Sequence, residues 1–192
     1  VGIFVPCVGG ELPHQPLVAL SKGHAHPEVT TVVVGNQDQE GNIFALVRGS
    51  GMQIDEPTFE DRVMRAYFAP LGLASFVHGV YADTLANAAQ TGDYFNATSQ
   101  ILGDYLVRCG VAAMIDALTN HSSALAAWRY EFVHHPAPLR SPLYFLNATH
   151  GTELPYVFDR ARDYKQSFTK EEEEFSFTLN DVWANIISTG VP

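Results

Sequence analysis

The feature that most constrains the fold is a short β-branched run, Thr30–Val34, which ends in Gly35. A short apolar run without alternating polar positions is typical of a strand buried on both faces, as in a parallel sheet. A polar loop over residues 36–41 follows directly. The run therefore predicts a sheet strand that is followed at its carboxyl end by a loop of polar side chains.

The middle of the chain, about residues 57–130, is predicted to be helical. Thr58 and Asp61 form a capping pattern ahead of apolar residues at helical spacing, and further helical segments cover about 75–90 and 99–119. Trp128–Val133 alternates in the manner of a strand. Helices between two strand–loop units indicate an α/β fold.

A final helix is predicted from the capping box of Thr169 and Glu172. The acidic residues 171–174 are expected to be a solvated first turn, where the helix dipole favours negative charge. His134 and His135 precede a Pro-rich break and are expected in a surface turn.

Size and charge exclude several classes of protein and partner. The chain has 192 residues, the size of one domain, and its 46% hydrophobic content is enough for a packed core. A net charge of −10 disfavours nucleic acid and anionic membranes as partners. No apolar run approaches the roughly 20 residues of a membrane helix. Both ends look cut, so we expect a piece of a longer protein.

Two loops carry candidate chemical groups. One contains Glu40 beside Gly41, and the other contains His150 and Glu153. In open α/β sheets, functional groups gather at the carboxyl ends of strands. A carboxylate there can hold one imidazole nitrogen protonated and stabilise the imidazolium that forms. On motif grounds alone, the commoner explanation of the two loops is a solvated acidic turn and a structural histidine.

Five stretches in chain order carry a more specific pattern: Phe4–Pro13, Val33–Phe44, Gly103–Cys109, Asn147–Phe158 and Trp183–Pro192. Together they resemble the C-terminal part of the type-B carboxylesterases, the cholinesterase–lipase branch of the α/β-hydrolases. The separation of 110 residues between Glu40 and His150 also matches the family. The acid loop is most similar to those of fungal esterases and lipases.

The resemblance implies an α/β-hydrolase fold, with residues 1–192 as the C-terminal part of a single catalytic domain. Its mostly parallel sheet, flanked by helices, would be completed by a preceding N-terminal segment. By resemblance, Glu40 is the acid and His150 the base of a Ser-Glu-His triad, and Glu153 supports the site. The nucleophile precedes the acid in this fold, and the chain contains no G-x-S-x-G. We therefore expect the nucleophilic Ser and the oxyanion hole on a preceding segment or a separate chain.

Two departures from the family bear on specificity and local geometry. Cholinesterases place an aromatic residue three positions after the acid, where it binds choline by cation–π contact. Here that residue is Ile43, which predicts an apolar rather than a quaternary-ammonium substrate group, and Phe44 keeps the next aromatic. Both are expected to line the substrate pocket. Gln39 replaces an Asp beside the acid, which predicts different local hydrogen bonding.

The remaining candidates concern metals and covalent modification. His24 and His26 lack a nearby third ligand, so no metal is expected, and the resemblance implies no cofactor. Cys109 resembles a family cysteine whose partner lies beyond the present chain, and Cys7 matches none. Asn96 and Asn120 are candidate glycosylation sites, which favours a secreted or extracellular glycoprotein.

Two functions follow as hypotheses. The first is serine-dependent hydrolysis of a small carboxylic ester. The alternative is a non-catalytic, cholinesterase-like adhesion or structural module, because the family contains members without the nucleophile. An upstream G-x-S-x-G would favour the enzyme.

Overall fold

A computed structural model describes residues 14–24, 26–121, 125–137, 141, 143–161 and 167–192. Phe4–Pro13 and Cys7, which entered the sequence comparison, lie outside these ranges. The helices are α1 (Pro16–Leu20), α2 (Asn42–Gly49), α3 (Glu56–Phe59), α4 (Ala74–Val80), α5 (Ala82–Thr91), α6 (Phe95–Gly103), α7 (Cys109–His121), α8 (Leu154–Val157) and α9 (Lys170–Thr189). Wider π-helical turns at Glu60–Phe68 and Asp104–Arg108 continue α3 and α6, and 3₁₀ turns lie at Ala69–Leu71 and Tyr144–Leu146.

Two parallel strands, β1 (Thr31–Gln37) and β2 (Ala126–Phe132), form the sheet of the described residues. Their register runs from Thr31 opposite Ala126 to Gln37 opposite Phe132. Because the strands are parallel and joined by helices, the predicted α/β class is confirmed. Parallel pairing also brings the two carboxyl ends, and both candidate loops, to one edge of the sheet.

Strand β1 differs from the prediction in two respects. It continues past Gly35 through Asn36 and Gln37, because their backbones pair with the last residues of β2. Residues 31–35 are half-buried rather than buried on both faces. Within the described part of the chain β2 is the only strand beside β1, so the other edge of β1 has no strand partner there.

The first long helical segment begins at a different cap from the one predicted. Asp55, not Thr58, is the N-cap, and its carboxylate accepts a hydrogen bond from the Thr58 N–H at 2.9 Å. Pro57 sits in the first turn, where its fixed φ favours the helix and its missing N–H costs nothing.

Two apolar clusters position the loops. The larger lies between α2, α3 with its π-helical continuation, and α6; its fully buried members include Ala45, Phe59, Met64, Ile101 and Leu102. The smaller joins β2 to α8 and α9 and contains Phe132, Ala148, Tyr156, Phe175 and Leu179. The loop that contains Glu40, called the acid loop below, leads into the first cluster, and the loop that contains Ala148 and His150, called the histidine loop below, is part of the second.

The predicted capping box of α9 is confirmed. Thr169 Oγ1 accepts from the Glu172 N–H at 3.2 Å, and Glu172 Oε2 accepts from the Thr169 N–H at 2.8 Å. The predicted solvation of this acidic turn is wrong for Glu172, which is 3% exposed. A surface turn is also wrong for His134, whose half-buried ring packs 5.0 Å from the Tyr156 ring and lies 3.1 Å from Glu172 Oε1. The apolar cluster draws both side chains inward.

Candidate active site

The acid loop, residues 38–41, is tied by its backbone to both ends of the second strand–loop unit. The Asp38 N–H donates to the Phe132 carbonyl at 3.0 Å, and the Gln39 N–H donates to the Ala148 carbonyl at 2.9 Å. Arg108 donates to the Asp38 carbonyl at 3.2 Å. The loop is therefore fixed against β2 and the histidine loop before any side chain of the site is considered.

Gly41 allows this loop to touch the backbone of α6. A Cβ at Gly41 would lie 1.7 Å from the Ser99 carbonyl oxygen, and one at Gly103 would lie 2.9 Å from the Gly41 nitrogen. No side chain fits at either position. The Gly in the loop pattern thus has a packing reason: it lets α2 start directly on α6.

The side chain of Asn42 fixes the start of α2 through two hydrogen bonds. Its amide donates to the Leu146 carbonyl at 3.0 Å, and its Oδ1 accepts from the Ser99 hydroxyl at 2.6 Å. One residue further on, the Ile43 N–H donates to Thr149 Oγ1 at 3.0 Å. These contacts bring the histidine loop onto the first turn of α2.

Glu40 and His150 meet across this junction. His150 Nδ1 lies 2.8 Å from Glu40 Oε2, and Glu40 Oε1 accepts from the Gln37 N–H at 2.9 Å. Glu40 is 1% exposed, whereas the His150 side chain is 54% exposed. Because a carboxylate only accepts, the imidazole proton belongs on Nδ1, which leaves Nε2 able to take up a proton.

The carboxylates around His150 favour its charged form. The hydrogen bond to Glu40 raises the pKa of His150, partial burial opposes it, and the charges of Glu40 and Glu153 raise it further. The net pKa of His150 lies above its usual value. The arrangement can therefore accept a proton at Nε2 and stabilise the imidazolium that results.

Glu153 lies three residues beyond His150 and is half-buried. Its Oε2 accepts from the side-chain amide of Gln37. Burial raises the pKa of Glu153, and the nearby charge of Glu40 raises it as well. Tyr130 of β2 completes these surroundings, and its hydroxyl pKa is raised by burial and by the same two carboxylates.

Both predicted pocket residues, Ile43 and Phe44, are partly buried and pack against the larger apolar cluster. The Phe44 ring lies 5.4 Å from the His150 ring, tilted by 39°. The partly buried Ile43 packs against the larger apolar cluster, while its N–H binds the histidine loop. Their role in lining a substrate pocket stays a prediction.

The other predicted residues lie away from this junction. Asn96 on α6 and Asn120 on α7 are exposed, as glycosylation requires, and Cys109 is an exposed free thiol. In the part of the chain that the structure describes, no group of three or more His, Cys, Asp or Glu could hold a metal ion. Nor do these residues include a helix long and apolar enough to cross a membrane.

Three residues whose hydrogen bonds hold the two loops together were not identified from the sequence: Gln37, Asn42 and Thr149. Each is an uncharged polar residue, a type that is usually solvated in loops, and each is buried here. Their only signal in the sequence is closeness to Glu40 or His150, which does not show which polar neighbours turn inward.

Comparisons with known proteins found a family model and several relatives that match this chain. The model of the family described as "Carboxylesterase family" matches residues 2–192. Acetylcholinesterase from Bungarus fasciatus is 28% identical over 199 residues, a match that covers 98% of this chain and 32% of the snake protein. Acetylcholinesterase 1 from Caenorhabditis briggsae is 32% identical over 64% of the chain and 19% of that protein. Acetylcholinesterase 1 from Caenorhabditis elegans is 33% identical over 52% of the chain and 16% of that protein. The chain thus spans a third or less of the length of these relatives.

Proposed function

Because the chain belongs to the carboxylesterase family, whose fold is that of the α/β-hydrolases, we propose that it supplies the acid and base of a Ser-Glu-His triad for carboxylic ester hydrolysis. One observation carries the proposal: Glu40 binds His150 Nδ1 at 2.8 Å across two loops at one edge of a parallel sheet. Residues 1–192 would then form the C-terminal part of a single catalytic domain.

In this mechanism His150 acts first as a base and then as an acid. Nε2 removes the proton from a serine hydroxyl as its oxygen attacks the ester carbonyl, and the imidazolium then protonates the departing alcohol. Water then attacks the resulting acyl-enzyme, and His150 again acts first as the base and then as the acid, which releases the carboxylic acid and restores the serine. Glu40 keeps the ring oriented and stabilises its positive charge, while its second oxygen stays bound to the Gln37 N–H.

The nucleophile and the oxyanion hole would come from an N-terminal companion, either continuous chain or a separate polypeptide. Two observations support this. The order Ser, acid, His places the nucleophile before Glu40, where the chain has no G-x-S-x-G. The apolar residues 31–35 are only half-buried, which suits a strand whose other edge pairs with further chain.

The proposed substrate is a small neutral ester. The relatives are named acetylcholinesterases, but an aliphatic residue, Ile43, stands where an aromatic would contact a quaternary ammonium group. We further propose a secreted or extracellular protein that carries glycans at the exposed Asn96 and Asn120.

The test is ester hydrolysis by the whole protein that contains this chain, with a neutral aryl acetate as substrate. His150→Ala should lower kcat/KM by about a thousandfold or more. His135→Ala, at an exposed histidine, is the matched control and should stay within twofold of the parent. Turnover by His150→Ala within tenfold of the parent would refute the triad. A folded parent without any esterase activity would instead favour the non-catalytic adhesion or structural module.

A further inference from the structure

Gln37, the last residue of β1, binds both carboxylates of the candidate site. Its N–H donates to Glu40 Oε1 at 2.9 Å, and its side-chain amide donates to Glu153 Oε2. Gln37 is 2% exposed and stands opposite Phe132 in the sheet register. A residue at the end of a paired strand has little freedom, so this bridge between two loops is held by the sheet itself.

We propose that Gln37 is a positioning residue that keeps Glu153 ionised beside the triad, so that Glu153 supplies a second negative charge to the imidazolium of His150. This inference rests on the proposed function and adds to it a control on the protonation of the base. Gln37 acts through Glu153 and does not itself contact the reacting atoms.

The chemistry of the bridge follows from burial and charge. Burial, the largest influence, and the negative charge of Glu40 raise the pKa of Glu153, whereas its own backbone N–H, the charge of His150 and the amide donor of Gln37 lower it and favour the carboxylate. Tyr130 faces the same group from β2 as a neutral hydroxyl. A hydrogen-bond donor to a buried carboxylate stabilises its charged form. Without the Gln37 amide, the balance at Glu153 moves toward the neutral acid.

A neutral amide suits this place better than a charged side chain. A Lys or Arg would hold Glu153 ionised but would cancel its field at His150, and a carboxylate would repel both Glu40 and Glu153. Glutamine donates a hydrogen bond without adding charge. The negative charges of Glu40 and Glu153 therefore both act on the imidazole, where each raises the pKa of His150.

The experiment compares pH profiles of kcat/KM in the whole protein, with a neutral aryl ester as substrate. Gln37→Met removes the amide but keeps the backbone N–H that binds Glu40. The acid limb, which reports His150, should move down by about half a pH unit or more, since Glu153 becomes neutral. Glu153→Gln should move the limb by the same amount. In the Glu153→Gln background, Gln37→Met should add no further shift.

Gln39→Met is the matched control, because its amide contacts the neighbouring Asp38 rather than Glu153. Its acid limb should stay at the parent's position. A Gln37→Met enzyme that is slower at every pH with an unmoved limb would show a merely structural role and overturn the proposal. If Gln37→Met does not fold, Glu153→Gln decides alone, since an unmoved limb there means that Glu153 is not ionised. Failure of the triad itself is distinguished by full activity in His150→Ala.

Discussion

Tyr156 donates its hydroxyl to Glu172 Oε1 at 2.9 Å, a bond between the helical turn after the histidine loop and the start of α9. The backbone carbonyl of Tyr156 accepts from Ser176 at 2.7 Å and from Asn180 at 2.9 Å. α9 therefore holds Tyr156 at both its ring and its backbone. Because His150 lies only six residues earlier, the position of the proposed base depends on this long helix.

Glu172 is expected to contribute strongly to the stability of the contact between Tyr156 and α9. Glu172→Gln replaces a buried carboxylate that accepts from Tyr156, from the Ala137 N–H at 2.9 Å and from Thr169. We expect a loss of about 1–3 kcal/mol in the free energy of unfolding, measured by urea denaturation of the whole protein. Glu173→Gln removes an exposed charge from the same turn and should cost less than about 0.5 kcal/mol. Equal losses in the two variants would contradict this.

The Glu172 carboxylate should also make the free energy of unfolding depend on pH in the acid range. Burial raises the pKa of Glu172, but its hydrogen bonds outweigh burial and hold the pKa below the usual 4.5. A pKa lowered by folding contributes stability that is present above pH 4.5 and is lost as the pH falls through the folded value. The stability gap between the parent and Glu172→Gln should therefore be constant above about pH 5.5 and should close in acid. A gap that stays constant down to pH 3 would rule this out.

Esterase activity should require a neutral His150 and should fall in acid. Since Glu40 raises the pKa of His150, the acid limb of kcat/KM should lie above the usual 6.5. Glu40→Gln should lower kcat by about a thousandfold and move the limb down, because the imidazolium loses its closest negative charge. A parent limb below pH 6 would contradict the geometry of the pair.

Ile43 should set the preference for neutral esters. We expect a higher kcat/KM for a neutral ester than for a choline ester with the same acyl group. Ile43→Phe should raise the choline-to-neutral ratio about threefold to tenfold through a cation–π contact, and Ile43→Leu, which keeps an aliphatic side chain, serves as the control. A parent enzyme that already prefers the choline ester would show that another aromatic binds the cation.

Gly41 should tolerate no side chain. A Cβ there would lie 1.7 Å from the Ser99 carbonyl, so Gly41→Ala must push the acid loop away from α6. We expect a loss of about 2 kcal/mol or more in unfolding free energy, together with most of the activity. Gly51→Ala is the matched control, since a Cβ at Gly51 would meet nothing within 4 Å. Similar melting temperatures for the two variants would show that the loop can move without cost.

The local sequence determined much of the framework. Residues 30–34 indicated a sheet strand, and Thr169 with Glu172 indicated the start of the last helix, because strand preference and helix capping depend on neighbours in the chain. The two loops that hold Glu40 and His150 were visible from their motifs, and their pairing was predicted from resemblance. The structure places His150 Nδ1 2.8 Å from Glu40 Oε2, and their catalytic roles stay a prediction.

Burial and long-range contact were decided only by the tertiary structure. Glu172 belongs to an acidic run that is typical of a solvated helix start, and its inward position depends on Tyr156 and His134, which lie 16 and 38 residues away. Gln37 is an ordinary polar residue until β1 and β2 pair and bring Glu153, 116 residues distant, to its amide. Local preference is a property of a few adjacent residues, whereas the environment of a polar group is set by whichever elements pack against it. The sequence by itself therefore determined the class of fold and the two candidate loops, and the packing decided which polar side chains became part of the site.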